Sequence, residues 1–230
     1  MIQLPSIMEA LDMLVVSSNK TAERPVLIRS LQRCSSLNRQ LLAWKENLEN
    51  QDHSQLYWMV PSAADSPADD PVLGRVFPLA FQFPSLRIAQ LLLLYWSMLI
   101  LLYRTIQDIK KRLKRQVANG TVTQHSFGLQ ERDRGEVCSE HSCPSNDLIV
   151  LLANNICQSL EYCYRTTNGT HGPQLTSFPL WVAQNFYESQ SDRGRELAWC
   201  SELGNTTAPN SRFDLYFIKT RRGWLSRGSQ

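Results

Sequence analysis

The sequence has little of what an enzyme or a nucleotide-binding protein needs. Its four histidines form no H-E-x-x-H pair, which would place two zinc ligands on one helix face. It also contains no G-x-S-x-G elbow, Walker loop or Rossmann glycine pattern. Catalysis needs a nucleophile or a metal beside a poised acid or base, and no motif here brings such groups together. We therefore predict that the protein is not an enzyme, and we name no catalytic or cofactor-binding residue.

Strong charge and a dense set of cysteines are also lacking. The formal net charge of +3 is too small to predict nucleic-acid binding from the electrostatic field alone. Four of the six cysteines, Cys34, Cys157, Cys163 and Cys200, fall on helical patterns, where a thiol behaves as a small buried hydrophobe. We expect a reducing compartment and no disulfide framework. The first residues lack the charged region and cleavage site of a signal peptide.

The strongest hydrophobic run is Ile88–Tyr103, which contains no charged residue. At about 1.5 Å per residue it spans roughly 24 Å as a helix, less than the ~30 Å hydrocarbon core of a bilayer. We predict an all-α fold, a multi-helix bundle in which this helix is buried on all sides. The alternative is a helical membrane-associated protein, and we expect no membrane contact.

A seven-residue repeat follows Pro25. Leu27, Cys34, Leu41 and Leu48 recur at this spacing, which indicates a helix with one apolar stripe. The repeat is shorter than the about three to four heptads that a coiled coil needs, so it favours a bundle helix.

Two irregular segments interrupt the helical patterns. The connection 50–84 holds five prolines, which prevent a continuous helix, yet it is too apolar for a free linker. The segment 119–146 is polar, with alternating charges, and indicates a long solvated loop between two helical groups.

Three ordered motifs follow that loop. Ile156–Tyr162 reads I-C-Q-S-L-E-Y on a helical stripe from which Glu161 faces water. Gly169 and Gly172-Pro173 stop this helix, and Phe178–Ala183 reads F-P-L-W-V-A. We predict a new helix there, because a proline in the first turn of a helix lacks only an N–H that has no partner. Residues 195–200 then read R-E-L-A-W-C.

These motifs resemble the C-terminal part of the α-helical regulatory region of fungal zinc-cluster transcription factors. That region carries an I-C-x-S-x-E-Y helix, an F/Y-P-L-x-V-A helix and an R-E-L-x-W-C helix in the same order. Upstream, Tyr95-Trp96 in the apolar run and the L-x-x-W-x-x-x-L pattern of Leu41–Leu48 are similar to two earlier helices of the family, so the likeness spans roughly Leu27 to Cys200. The family's six-cysteine DNA-binding cluster is missing from this sequence.

The resemblance implies a single regulatory domain over residues 1–203, while residues 204–230 match nothing in the family and are interpreted as a tail that can be disordered. It implies a nuclear protein that controls transcription of a metabolic or secondary-metabolite gene set, through protein partners, an effector or self-association. This chain would not itself bind a specific DNA sequence, and zinc would enter only with an N-terminal cluster that it lacks. The alternative is a stand-alone dimerisation protein that modulates a full-length factor.

The residues that we expect to be indispensable are structural rather than chemical. Large or constrained side chains within the motifs would fill the core, and truncating a buried tryptophan or tyrosine costs about 3–5 kcal/mol. These residues are Tyr95, Trp96, Ser159, Tyr162, Pro179, Leu180 and Trp199.

A basic run follows the apolar run. It consists of Lys110, Lys111, Arg112, Lys114 and Arg115. Basic residues at a helix C-terminus complement the helix dipole, so a solvated last turn accounts for them. A nuclear-import signal is the second interpretation, and it fits the family resemblance.

The best metal candidates are Cys138, His141 and Cys143, whose side chains suit zinc. A structural zinc site needs four ligands, and the fourth would have to come from Glu140 or from a distant residue. We therefore predict no metal site and name these three as weak candidates.

Overall fold

The described part of the chain is mostly helical. The computed structural model describes residues 6, 7, 9, 20–52, 55–63, 66, 68–118 and 144–206. Helices account for 74% of these residues, and the strands among them form one two-stranded sheet. The predicted all-α class is confirmed, as is the long apolar helix packed against others.

The elements follow one another in a simple order. They are α1 (Lys20–Asp52), β1 (Trp58–Pro61), β2 (Leu79–Gln82), α2 (Leu86–Ala118), α3 (Asn146–Cys163), a 3-10 turn (Thr166–Asn168), α4 (His171–Glu188) and α5 (Gly194–Thr206).

The chain divides into two compact units. Unit 1 consists of Met1–Glu46 and Leu101–Ile149, and unit 2 consists of Asn47–Ile100 and Val150–Gln230. Each unit is therefore assembled from two separate stretches of sequence. Helices α1, α2 and α3 each contribute residues to both units.

Unit 1 buries aliphatic side chains. Leu27, Cys34 and Leu37 of α1 are buried, as are Ile106 and Ile109 of α2. The first half of the predicted seven-residue stripe is therefore in the core, whereas Leu41 is half-buried. Burial raises the pKa of the Cys34 thiol to about 11, since a thiolate would have to give up its hydration.

Helix α1 begins before its proline. The sequence pattern placed the helix after Pro25, but the helix starts at Lys20 and contains Pro25. A proline this close to the N-terminus removes one backbone hydrogen bond, and the rest of a 33-residue helix remains intact.

Unit 2 contains a hairpin within the proline-rich connection. Strands β1 and β2 pair antiparallel, with Trp58 opposite Gln82 and Pro61 opposite Leu79. The backbone N–H of Ser62 donates to the Pro78 carbonyl at 3.0 Å, which extends the pairing past the strand end. Prolines at strand ends are tolerated because no ladder bond is lost there.

The apolar run lies on α2 and continues into the basic run, as predicted. In unit 2 this helix buries Leu92, Leu93, Trp96 and Ile100. Within the described residues, α2 is the one helix whose length and composition would also suit a membrane span, and 56% of its most apolar window is buried by the protein itself.

The prediction that a helix starts at Phe178-Pro179 is wrong. Helix α4 begins at His171, and Pro179 lies inside it. Pro173 occupies the first turn instead, where a missing N–H costs nothing. The Pro179 ring is buried, and its burial offsets part of the loss of one interior hydrogen bond.

Glycines make the tight connection from α3 to α4. Gly169 has a φ of +56°, a conformation that side chains with a Cβ rarely adopt. Gly172 lies so close to the end of α3 that a Cβ there would be 1.9 Å from the Cys163 carbonyl oxygen. The first helix ends at Cys163, before these glycines, and Gly172 lies inside α4, where it is a packing contact between the two helices.

Candidate functional site

The three sequence motifs lie on three consecutive helices of unit 2. Residues 156–162 are on α3, residues 178–183 are on α4, and residues 195–200 are on α5. The side chains expected to be indispensable lie in or against the core. Tyr95, Trp96, Ser159, Pro179, Leu180 and Trp199 are buried, and Tyr162 is half-buried.

An aromatic cluster joins the hairpin to α2 and α3. The Trp96 ring centroid lies 5.8 Å from that of Tyr57 and 6.0 Å from that of Phe81. Tyr162 reaches the same cluster through Phe83, with ring centroids 5.2 Å apart. Such ring pairs contribute about 0.5–1.5 kcal/mol each beyond their area burial. No sequence pattern singled out Tyr57, because its role depends on a hairpin that the prolines concealed.

Glu161 ties α3 to the end of β1. Its carboxylate accepts a hydrogen bond from the Ser62 hydroxyl at 2.9 Å and one from the Ala63 backbone N–H at 3.2 Å. The prediction that Glu161 faces water is therefore wrong, because the hairpin supplies donors that the helical pattern could not reveal. Arg165 is exposed, and its guanidinium lies 5.3 Å from the centre of the Tyr162 ring.

A cavity of about 270 Å³ lies between the hairpin and the helices. Its walls are mainly apolar, with Phe77, Leu79 and Trp199 among them, and Glu161 and Cys157 are also among its lining residues. The Phe77 and Trp199 rings meet edge to face with centroids 4.8 Å apart. The cavity is smaller than the about 300–1,000 Å³ of most drug-sized ligand sites, so it suits a small apolar molecule or a few waters.

A turn between the strands is held from several sides. One Asp70 carboxylate oxygen accepts from the backbone N–H groups of Val72 at 2.7 Å and Leu73 at 2.8 Å. Arg195 of α5 donates to the Gly74 carbonyl at 2.6 Å. The backbone donors lower the pKa of Asp70, because they stabilise the ionised form.

Cys157, Cys200 and Tyr187 form a buried thiol cluster. The Cys157 and Cys200 sulfur atoms lie 3.5 Å apart, and the Tyr187 hydroxyl donates to Asn154 Oδ1 at 2.7 Å. The hydrogen bond with Cys157 and burial raise the pKa of the Cys200 thiol well above its usual value. Burial likewise raises the pKa of Tyr187, so both groups are neutral at physiological pH. The expectation that the four helical cysteines are buried is confirmed.

The basic run occupies the last turns of α2. Lys111, Lys114 and Arg115 are exposed, and Lys110 and Arg112 are half-buried. Cations at this end of a helix are favoured by its dipole, whatever else they do. The structure therefore presents three of the five cations of the run to solvent on one helix.

The weak metal candidates Cys138, His141 and Cys143 lie outside the described residues. Among the residues that are described, no group of three or more histidine, cysteine, aspartate or glutamate side chains could hold a metal ion.

Comparisons of this chain with protein-family models, with curated protein sequences and with solved structures find no match. The resemblance to fungal zinc-cluster regulators therefore stays a prediction from the sequence motifs.

Proposed function

We propose that this chain is a helical regulatory domain of the kind found in fungal zinc-cluster transcription factors, and that it controls transcription in the nucleus through protein partners or an effector. The observation that carries the proposal is the placing of the three motifs on consecutive helices of one unit, with Cys157 of the first motif against Cys200 of the third. The large side chains of these motifs are buried in the core, and core packing is the role that we expect for them in such a domain.

The cavity beside these motifs supports the effector part of the proposal. It is bordered by residues of the first motif and by Trp199 of the third. A small apolar molecule bound there would contact both helices and the hairpin, so its binding would stabilise one arrangement of the three elements.

A reporter assay tests the regulatory proposal. The chain is fused to a DNA-binding module of known target, and transcription from that target is compared with the module alone. We expect the fusion to raise or lower transcription several-fold, and to lose this effect when Trp96→Ala destabilises unit 2. An effect that is identical for the module with and without the chain contradicts the proposal.

The import part of the proposal has its own control. A fluorescent fusion should accumulate in fungal nuclei, and K111A/K114A/R115A should spread it through the cell. Arg29, Arg39 and Arg87 are exposed cations elsewhere in the chain, so the triple alanine variant at these positions is a matched loss of charge. Equal distributions for the two triple variants would contradict import by the basic run.

The second candidate is an interaction protein that modulates a full-length factor by binding it. One observation favours it, namely that Val72 and Leu73 are 91% and 68% exposed on a turn that is fixed by Asp70. A protein partner that covers these two side chains would bury apolar area, and little conformational entropy would be lost because the turn is already ordered.

Co-purification from fungal cells tests this candidate. We expect the wild-type chain to be recovered with a transcription factor and V72S/L73S to lose it. A variant that retains the partner, or a wild-type chain that is recovered alone, would contradict binding through this turn. The wild-type chain and V72S/L73S should have the same thermal midpoint, because neither side chain is part of the core.

A further inference from the structure

Two thiols from distant parts of unit 2 meet in its interior. Cys157 on α3 and Cys200 on α5 are 43 residues apart, and their sulfur atoms lie 3.5 Å from each other. Each residue is 1% exposed. No disulfide joins them, since both are free cysteines.

We propose that Cys157 and Cys200 are a redox-modification site, in which a small hydroperoxide that enters the neighbouring cavity converts the two thiols into a disulfide between α3 and α5. The inference does not depend on the proposed function. It rests on the distance between the sulfur atoms and on the one-sided access to the pair.

The distance permits the bond. A disulfide has an S–S length of about 2.05 Å, so the two sulfurs must approach by about 1.5 Å. Rotations of both side chains can share that movement. The two helices already hold the sulfurs in contact, so most of the entropy of closing the loop has been lost on folding.

Access is provided from one side. The cavity has room for water-sized molecules and is bordered by Cys157, whereas Cys200 is not among its lining residues. A hydroperoxide is hardly larger than water, so it meets Cys157 first. Cys200 then lies behind Cys157 as the resolving thiol.

The chemistry balances in two steps. The Cys157 sulfur attacks one peroxide oxygen, the O–O bond breaks, and the products are a Cys157 sulfenic acid and water or an alcohol. The Cys200 sulfur then attacks the sulfenic sulfur, the S–O bond breaks, and the hydroxide leaves as water after taking the thiol proton. Two thiols are oxidised and one peroxide is reduced, and a dithiol reductant reverses the change by thiol–disulfide exchange.

The surroundings set the pace of the reaction. The hydrogen bond with Cys157, burial and the Glu196 charge raise the pKa of the Cys200 thiol and so keep it protonated. The thiolate is the nucleophile, so the attack by Cys200 in the second step is slow. The disulfide therefore forms on sustained exposure to the oxidant. In an ordinary reducing compartment the two thiols stay reduced.

Peptide mapping of the folded chain tests the proposal. Cys138 and Cys143 are first changed to serine, so that the four cysteines that remain are the buried ones. Digestion with trypsin and with a glutamate-specific protease separates Cys157 from Cys163 at Glu161, and places Cys34 and Cys200 on peptides of their own. The chain is treated with hydrogen peroxide, alkylated and digested without reductant.

We expect one dominant cross-linked species, the Cys157 peptide joined to the Cys200 peptide, with the loss of two thiols per chain and full recovery after dithiothreitol. The thermal midpoint should rise by several degrees on oxidation and return on reduction, since a cross-link between α3 and α5 restricts the unfolded chain. Cys200→Ala should abolish both the cross-link and the reversible shift.

Three outcomes would overturn the proposal. They are a Cys157 that is oxidised to sulfinic acid without a cross-link, links to Cys34 or Cys163 in comparable yield, or a monomeric chain that keeps all four thiols at peroxide concentrations that oxidise free cysteine. Cys163→Ala is the matched control, because Cys163 is equally buried on α3 and its replacement should leave the cross-link intact. Should Cys200→Ala fold poorly, the peptide map of the chain that keeps all four buried thiols still decides between the outcomes.

Discussion

The two units differ in what holds them together. The described core of unit 1 is mainly aliphatic, with Leu27, Ile106 and Ile109 as examples. Unit 2 also buries aliphatic side chains, and it adds directional contacts between unlike elements, such as the aromatic cluster around Trp96, the Glu161 carboxylate on the hairpin and the thiol cluster. Aliphatic packing is spread over many small contacts, whereas directional contacts concentrate stability in few atoms. We therefore expect unit 2 to be the more sensitive to single substitutions.

The largest expected effect comes from removing a tryptophan from each unit. Trp96→Ala in unit 2 removes a ring that is 2% exposed and contacts two other rings, so it should lower the free energy of unfolding by about 3–5 kcal/mol. Trp44→Ala in unit 1 removes a ring that is 37% exposed and should cost less than about 1 kcal/mol. Urea unfolding of both variants measures the difference, and equal losses would contradict the comparison.

A methyl group at Gly172 should have the next largest effect. Gly172→Ala places a Cβ within 1.9 Å of the Cys163 carbonyl oxygen, so α3 and α4 must move apart, at a cost of about 2–3 kcal/mol. Gly194→Ala is the matched control, because nothing lies within 4 Å of the Cβ that it adds. Thermal unfolding of the two variants should differ by several degrees, and a Gly172→Ala chain as stable as the control would refute the close approach.

Removal of the Glu161 carboxylate should have an intermediate effect. Glu161→Ala leaves the Ser62 hydroxyl and the Ala63 N–H without their acceptor, which we expect to cost about 1–2 kcal/mol. Glu46→Ala removes an exposed carboxylate in unit 1 and should change stability by less than about 0.5 kcal/mol. Chemical denaturation measures both, and hydrogen exchange at Ala63 should accelerate only in the Glu161 variant.

The smallest expected effect is a dependence of folding stability on pH through Asp70. Backbone N–H groups lower the pKa of Asp70 in the folded chain, so its stabilising contribution is present above the ordinary carboxyl pKa of about 4 and is lost as the pH falls through the lowered value. Asp70→Asn removes the charge but keeps an acceptor oxygen. The stability difference between wild type and variant should shrink as the pH falls below about 4 in thermal scans. A difference that is constant over this range would contradict the assignment.

Local patterns in the sequence predicted the helices well because a helix is determined by neighbouring residues. The charge-free run at Ile88–Tyr103 and the stripe through Ile156 each produced a helix. Prolines were the weak point of the prediction. A proline near a helix start and one inside a helix look alike in sequence. Pro25 was placed before its helix and Pro179 at the start of one, but both prolines lie inside helices.

The contacts of the candidate site could be predicted only in part. Burial of Trp96 and Trp199 was expected because both lie in the motifs that resemble the fungal regulators, and both side chains are buried. The Glu161 bonds to the hairpin, the place of Tyr57 beside Trp96 and the meeting of Cys157 with Cys200 depend on pairings between distant parts of the chain. No periodicity records such pairings, and the prolines near the hairpin concealed the element that makes two of them.

Each unit is built from two separate stretches of sequence, so the ribosome makes the first stretch well before the second stretch that completes the unit. Ser62 meets its partner 99 residues later, and Gly74 meets Arg195 121 residues later. At about 5–20 residues per second, the hairpin waits on the order of 5–25 seconds after synthesis for the helices that cover its aromatic side chains. During that interval Phe83 lacks its contact with the Tyr162 ring of α3, so we expect a chaperone that binds exposed aromatic segments to recognise the nascent chain.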